Sequence, residues 1–167
     1  MPRRILAIGT IFLLLLTGCN RKKTAEPLSA DFVCDFRAAY NDMIAEGTLT
    51  RRTAGTLLLE FSKPETLDGL SADWNGEKVT LKYMGLSYDV DPDELPENAL
   101  GQGLLSAFDA VLRGAQIKEE KDGAVTVTGL SGKASYTYVY DASNGAPLSL
   151  TVPSIPLTVT FSNIQSQ

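Results

Sequence analysis

The chain of 167 residues contains no histidine, which removes the commonest general base and metal ligand. No Gly-x-Ser-x-Gly elbow is present, and the many serines fall on strand faces and in turns. Gly101-Gln102-Gly103 lacks the Gly-Lys of a phosphate loop and does not close a βαβ unit. The acidic run Asp89, Asp91, Asp93, Glu94, Glu97 begins like a calcium loop, but Leu95 and Pro96 stand where a turn glycine and further ligands belong. It reads as a solvated loop whose charges complement a helix end. Asp42 and Glu46 lie close in sequence, on what reads as a solvated face. Basic residues are outnumbered 15 to 20, which argues against nucleic acid. Neither an enzyme nor a cofactor is expected.

One long hydrophobic run exists, at the N-terminus. Arg3 and Arg4 precede the apolar stretch Ile5 to Leu16, about a dozen residues and too short for a comfortable membrane span. Leu16-Thr17-Gly18-Cys19 follows and looks like the lipobox of bacterial lipoproteins. Small residues let the backbone enter a peptidase, and only a thiol can be alkylated to a diacylglyceryl thioether. Two acyl chains give stable anchoring where one is marginal. An uncleaved signal anchor is the first alternative, and a Cys19–Cys34 disulfide is the second. The lipobox is preferred because length, charge and position agree. Residues 1–18 are then a signal peptide, 19–29 a lipidated tether, and 30–167 one domain. Cleavage removes Arg3 and Arg4, leaving 13 basic against 20 acidic residues, a net charge of −7. Lipid on Cys19, rather than charge, supplies the membrane contact, on the extracytoplasmic face. Cys34 becomes an unpaired thiol in a strand.

The exported domain is dominated by period-two alternation, the mark of strands with one buried face. The stripes are Phe32, Cys34, Phe36, Ala38 and Tyr40; Leu57, Leu59 and Phe61; Val79, Leu81 and Tyr83; Val125 and Val127; Tyr136, Tyr138 and Tyr140; Leu148, Leu150 and Val152; and Leu157, Val159 and Phe161. Asn75-Gly76, Asp122-Gly123 and Asn144-Gly145 sit between such runs, as tight turns require. Leu100, Leu104, Leu105, Phe108, Val111 and Leu112 instead fall at helical spacing, with Gly114 as a plausible cap. Asp93, Glu94 and Glu97 favour the helix amino end, whereas Gly101 and Gly103 weaken its first turn. The pattern predicts a mainly β domain of about five strands, one helix, then about five strands. A sheet so rich in strands must curl, and the helix covers part of its concave side.

The lipobox, the segment Gly55-Thr56-Leu57-Leu58-Leu59-Glu60-Phe61-Ser62-Lys63-Pro64, the Trp74-Asn75-Gly76 turn, the later helix and the ending Gly145-Ala146-Pro147-Leu148 through Val159-Thr160-Phe161 together resemble the outer-membrane lipoprotein carrier superfamily. A membrane-anchored chain is most similar to its Gram-positive sorting and germination lipoproteins. The resemblance implies a half-barrel with a helix against its concave face, which in some members holds acyl chains. This sequence departs from the superfamily in one respect: it has almost no room for the helix that usually precedes the first strand in carriers. Two functions follow from the resemblance. In the first, an apolar ligand such as a lipid or lipoprotein acyl chain binds between helix and sheet, on Phe36, Leu59, Phe61, Leu81, Tyr83, Leu104 and Phe108. In the second, those side chains fill the core and the domain is a scaffold for a cell-envelope enzyme or another lipoprotein.

Overall fold

Alternation along the chain becomes eleven strands and one α-helix among the residues that the computed structural model describes, 26–27, 31–95, 100–113, 117–131 and 134–166. The expected signal segment, Cys19, most of the expected tether, Glu97 and Gly114 lie outside the described residues. The strands are β1 (Phe32–Tyr40), β2 (Met43–Arg51), β3 (Leu57–Lys63), β4 (Ser71–Trp74), β5 (Val79–Tyr83) and β6 (Leu86–Val90), then β7 (Ile117–Lys121), β8 (Ala124–Ser131), β9 (Ala134–Asp141), β10 (Pro147–Val152) and β11 (Leu157–Ser166). Helix α1 (Leu100–Arg113) joins the two sets. All strands form one antiparallel sheet in the order β6-β5-β4-β3-β2-β1-β11-β10-β9-β8-β7. Two meanders therefore meet at β1, which pairs with β2 on one side and β11 on the other. The expected curled half-barrel with one helix is the observed fold, with six strands before the helix and five after it.

The predicted stripes face the helix. Phe32, Cys34, Phe36 and Ala38 on β1, Leu57 and Leu59 on β3, and Tyr136, Tyr138 and Tyr140 on β9 are all at most 3% exposed. One expectation needs correction. Leu148 is 38% exposed, because β10 shifts register against β9 between Pro147 and Ser149 and turns that side chain out of its stripe. The acidic run also differs from its reading. Asp93 and Glu94 belong to a separate 3-10 turn, Pro92–Glu94, whose amino end is capped by the Asp91 carboxylate accepting from Asp93 N at 2.9 Å. No acidic residue lies in the first turn of α1 itself.

Helix α1 packs mainly over β3, β8, β9 and β10, burying Leu104, Ala107, Phe108, Ala110 and Val111. Its early glycine has a steric role. A Cβ at Gly101 would stand 1.9 Å from the ring of Trp74, so only glycine lets this turn lie on the indole. Among the described residues no helix is long and apolar enough to cross a membrane.

Strand β2 bends at a register shift between Glu46 and Gly47, where it crosses β3. A Cβ at Gly47 would lie 2.0 Å from the Glu60 carbonyl oxygen, a backbone atom that cannot swing aside. Gly47→Ala is expected to lower the melting temperature by on the order of 5–10 °C, since overpacking costs roughly 1–3 kcal/mol. An unchanged melting curve would show that the two strands can separate there without cost.

Candidate functional site

The sheet sorts the seven candidate lining residues into two places. Phe36, Leu59, Leu104 and Phe108 lie inside the core, none more than 3% exposed. The Phe108 ring is seated among Phe32, Tyr138 and Phe161, with centroids 5.9, 5.7 and 5.7 Å away. Such pairs each contribute about 0.5–1.5 kcal/mol beyond their buried area. Phe61, Leu81 and Tyr83 are only partly buried. Phe61 stands edge-on to Phe36 at 5.6 Å, and the Tyr83 hydroxyl donates to the Thr66 carbonyl at 3.1 Å.

Strand register explains the division. Leu57, Trp74, Val79 and Val90 pair in one row across β3 to β6, and Leu59, Ala72, Leu81 and Tyr88 pair in the next. Tyr83 pairs with Leu86 one row further on. Side chains within a row share a face, so these rows run from the core outward along the concave side. Burial falls along each row. Leu59 is 1% exposed and Ala72 5%, whereas Tyr88 is 71% and Leu86 77% exposed. Phe61, Leu81, Tyr83, Leu86 and Tyr88 thus form an apolar ledge continuous with the core, at the sheet edge away from the strands that carry most of α1. Met84, 82% exposed, crowns the β5–β6 turn. Leu86 and Tyr88 were missed from the sequence, although Leu86, Tyr88 and Val90 alternate.

A second arrangement was also missed. Arg51, at the end of β2, has none of its side chain exposed and forms an ion pair with Asp109 of α1. Its guanidinium also donates to the Thr56 carbonyl at 3.3 Å and lies 5.3 Å from the centre of the Phe108 ring. Asp109 accepts in addition from Gly55 N at 3.3 Å. The group ties helix, β2 and the β2–β3 turn together. Its geometry is that of a structural clamp, with one aromatic face against the guanidinium. On the convex side, Glu46 accepts from Lys63 at 2.7 Å and from Arg37, which together hold its carboxyl below the usual range. Asp42 stands apart from this pair as an exposed turn residue.

Cys34 is a buried free thiol. Burial, with Asp35 adding to it, pushes its pKa up to about 12. Burial likewise raises the Tyr138 phenol, with the neighbouring thiol adding to the effect.

No protein-family model matches the sequence, and no curated protein matches it. Solved structures share the architecture at low identity. An uncharacterized conserved protein from Thermus thermophilus is 11% identical with a TM-score of 0.55, covering 84% of this chain and 80% of its own. A chain in the structure of the CwlD amidase from Clostridioides difficile in complex with the GerS lipoprotein is 12% identical with a TM-score of 0.53, covering 98% and 96%. A LolA superfamily protein from Nitrosomonas europaea is 12% identical with a TM-score of 0.44, covering 85% and 89%. The resemblance read from the sequence holds at the level of fold.

Two outcomes test the core. Arg51→Met is expected to destabilise by on the order of 3 kcal/mol by stranding Asp109, and Arg51→Met with Asp109→Leu to recover most of that loss. A cost for the double change equal to the sum of the two single changes, read from denaturant unfolding, would show that the pair does not act as a unit. Cys34 is expected to resist a thiol reagent in the native state and to react once the chain is unfolded. Its raised folded pKa favours the protonated native form, so stability should fall as pH rises from the ordinary thiol value of 9.0 towards about 12. Labelling of Cys34 at native rates equal to those in denaturant would overturn this.

Proposed function

We propose that the chain is a non-catalytic lipoprotein of the cell envelope, cut before Cys19 and held by lipid on that residue. Its domain, residues 30–167, works as a protein-interaction scaffold. The observation that carries this reading is the filling of the half-barrel by its own side chains. Four of the seven positions that would line an acyl-chain site are 3% exposed or less and are packed into the aromatic cluster around Phe108. A chain entering between helix and sheet would have to displace that cluster and break the Arg51–Asp109 clamp. The likeness in fold to a chain from an amidase–lipoprotein complex, over nearly the whole length of both, is in keeping with a partner in the envelope.

Three measurements on the full chain in its own membrane test the reading. Mass spectrometry of the extracted chain is expected to find Cys19 as the first residue, carrying a diacylglyceryl group; an unmodified Cys19 would remove the anchor. Crosslinking in intact cells is expected to join the chain to one defined envelope protein. Native mass spectrometry in neutral detergent is expected to find no lipid beyond the covalent one. A tightly held second lipid, with no protein crosslinked, would sink the scaffold reading in favour of a carrier.

A further inference from the structure

We infer that β6 and the ledge beside it are a docking edge for an extended, lysine- or arginine-bearing strand of a partner protein, which adds to the sheet next to β6. The inference rests on the scaffold reading and names the surface and the chemistry it selects. Among the described residues β6 pairs only with β5, so its outer edge presents backbone donors and acceptors in strand geometry. Proteins usually blunt such an edge. The opposite edge is blunted here, since β7 ends in Lys118-Glu119-Glu120-Lys121, four exposed charges in succession. β6 instead turns Leu86 and Tyr88, 77% and 71% exposed, to the same face as Leu81 and Tyr83. An added strand would find hydrogen-bonding backbone at the edge and apolar side chains on one face, the two elements of recognition by strand addition.

Charge selects the occupant. Residues 64–95, which hold β4 to β6 and the adjoining turns, carry 8 acidic and 2 basic residues, a net charge of −6. Residues 30–167 carry 10 basic and 19 acidic residues, a net charge of −9, so two thirds of the acidic excess of the domain is gathered at this end. One of the two bases, Lys78, is already paired with Asp89 across the β5–β6 hairpin, at 2.5 Å. Exposed Asp91, Asp93 and Glu94 follow directly on β6, and exposed Glu65 and Asp68 flank Thr66, the acceptor of the Tyr83 hydroxyl. A cationic strand is drawn in by this field. A second copy of the same edge would bring two such acidic lobes together, and an anionic lipid surface would be repelled.

The test uses the full lipidated chain in neutral-detergent micelles and an eight-residue peptide alternating lysine and valine. Hydrogen exchange is expected to slow at Leu86–Val90 when the peptide is added. Binding should weaken about tenfold or more when salt is raised from low to several times physiological, as screening of an exposed charge field requires. Leu86→Lys with Tyr88→Lys should abolish the protection without moving the melting temperature, and Asp91→Lys with Asp93→Lys should weaken binding by a similar factor. A glutamate–valine peptide of the same length should not bind.

Several results overturn the inference: no protection of β6 by the lysine–valine peptide, or equal binding of the glutamate–valine peptide. Concentration-dependent protection without peptide would assign the edge to a second copy, and protection by phosphatidylglycerol vesicles would assign it to lipid. The underlying scaffold reading fails separately. If a crosslinked envelope partner persists undiminished in the Leu86→Lys, Tyr88→Lys chain, the scaffold stands and this surface does not. If the wild-type chain crosslinks to no protein, the scaffold itself falls.

Discussion

Arg51 sits wholly out of water, and a charge so placed is tolerable only where an opposite charge and hydrogen-bond acceptors meet it. Asp109 comes from α1, the Thr56 carbonyl from the β2–β3 turn, and the face of Phe108 from the residue beside Asp109. These contacts fix where the helix lies along the sheet and which of its faces points inward. Packing supports the same position, with Gly101 against the Trp74 ring and Phe108 among Phe32, Tyr138 and Phe161. The ion pair is directional, and the aromatic cluster closes around the position that it sets.

A helix of fourteen residues cannot cover a sheet of eleven strands. Because α1 lies over β3 and β8 to β10, the concave face is sealed there and opens progressively towards β6. The fall in burial from Leu59 through Ala72 and Leu81 to Tyr88 follows from that mismatch in width. The ledge is therefore a part of the concave surface that the fold leaves uncovered. Its location at an acidic end of the sheet is a property of the sequence, not of the fold.

Much of this architecture was legible in advance because it depends on local pattern. The alternation on β1, β9 and β11, the Asp122-Gly123 turn and the helical stripe are each written within a dozen residues. Strand β2 was not picked out: Ala45, Gly47 and Leu49 alternate with Glu46 and Thr48, but two of the three are small, and the inward charge Arg51 breaks the rule that stripes are apolar. The Met84-Gly85 turn lacks the Asn or Asp that marks such turns, yet both residues take positive φ values, 50° and 81°. Without that turn β6 could not be seen as a hairpin partner, and Leu86 and Tyr88 lost their context. The Arg51–Asp109 pair spans 58 residues, and nothing near either residue announces the other. The division of the candidate site into core and ledge depends on how far α1 reaches, which no local pattern encodes.

The position of β1 has a further consequence for how the molecule comes into being. It is the first strand in the described chain and lies at the middle of the sheet, and its partner β11 is the last. The Asn163 amide reaches across 128 residues to the Asp35 carboxylate at 2.6 Å. A chain delivered N-terminus first can zip β1 through β6 as successive hairpins, but it waits with one flank of β1 bare. Closing that flank joins the first and last described strands, a long-range step that is slow by its nature. Until it happens, the half-barrel has only half its wall, and the core that α1 is to cover does not yet exist.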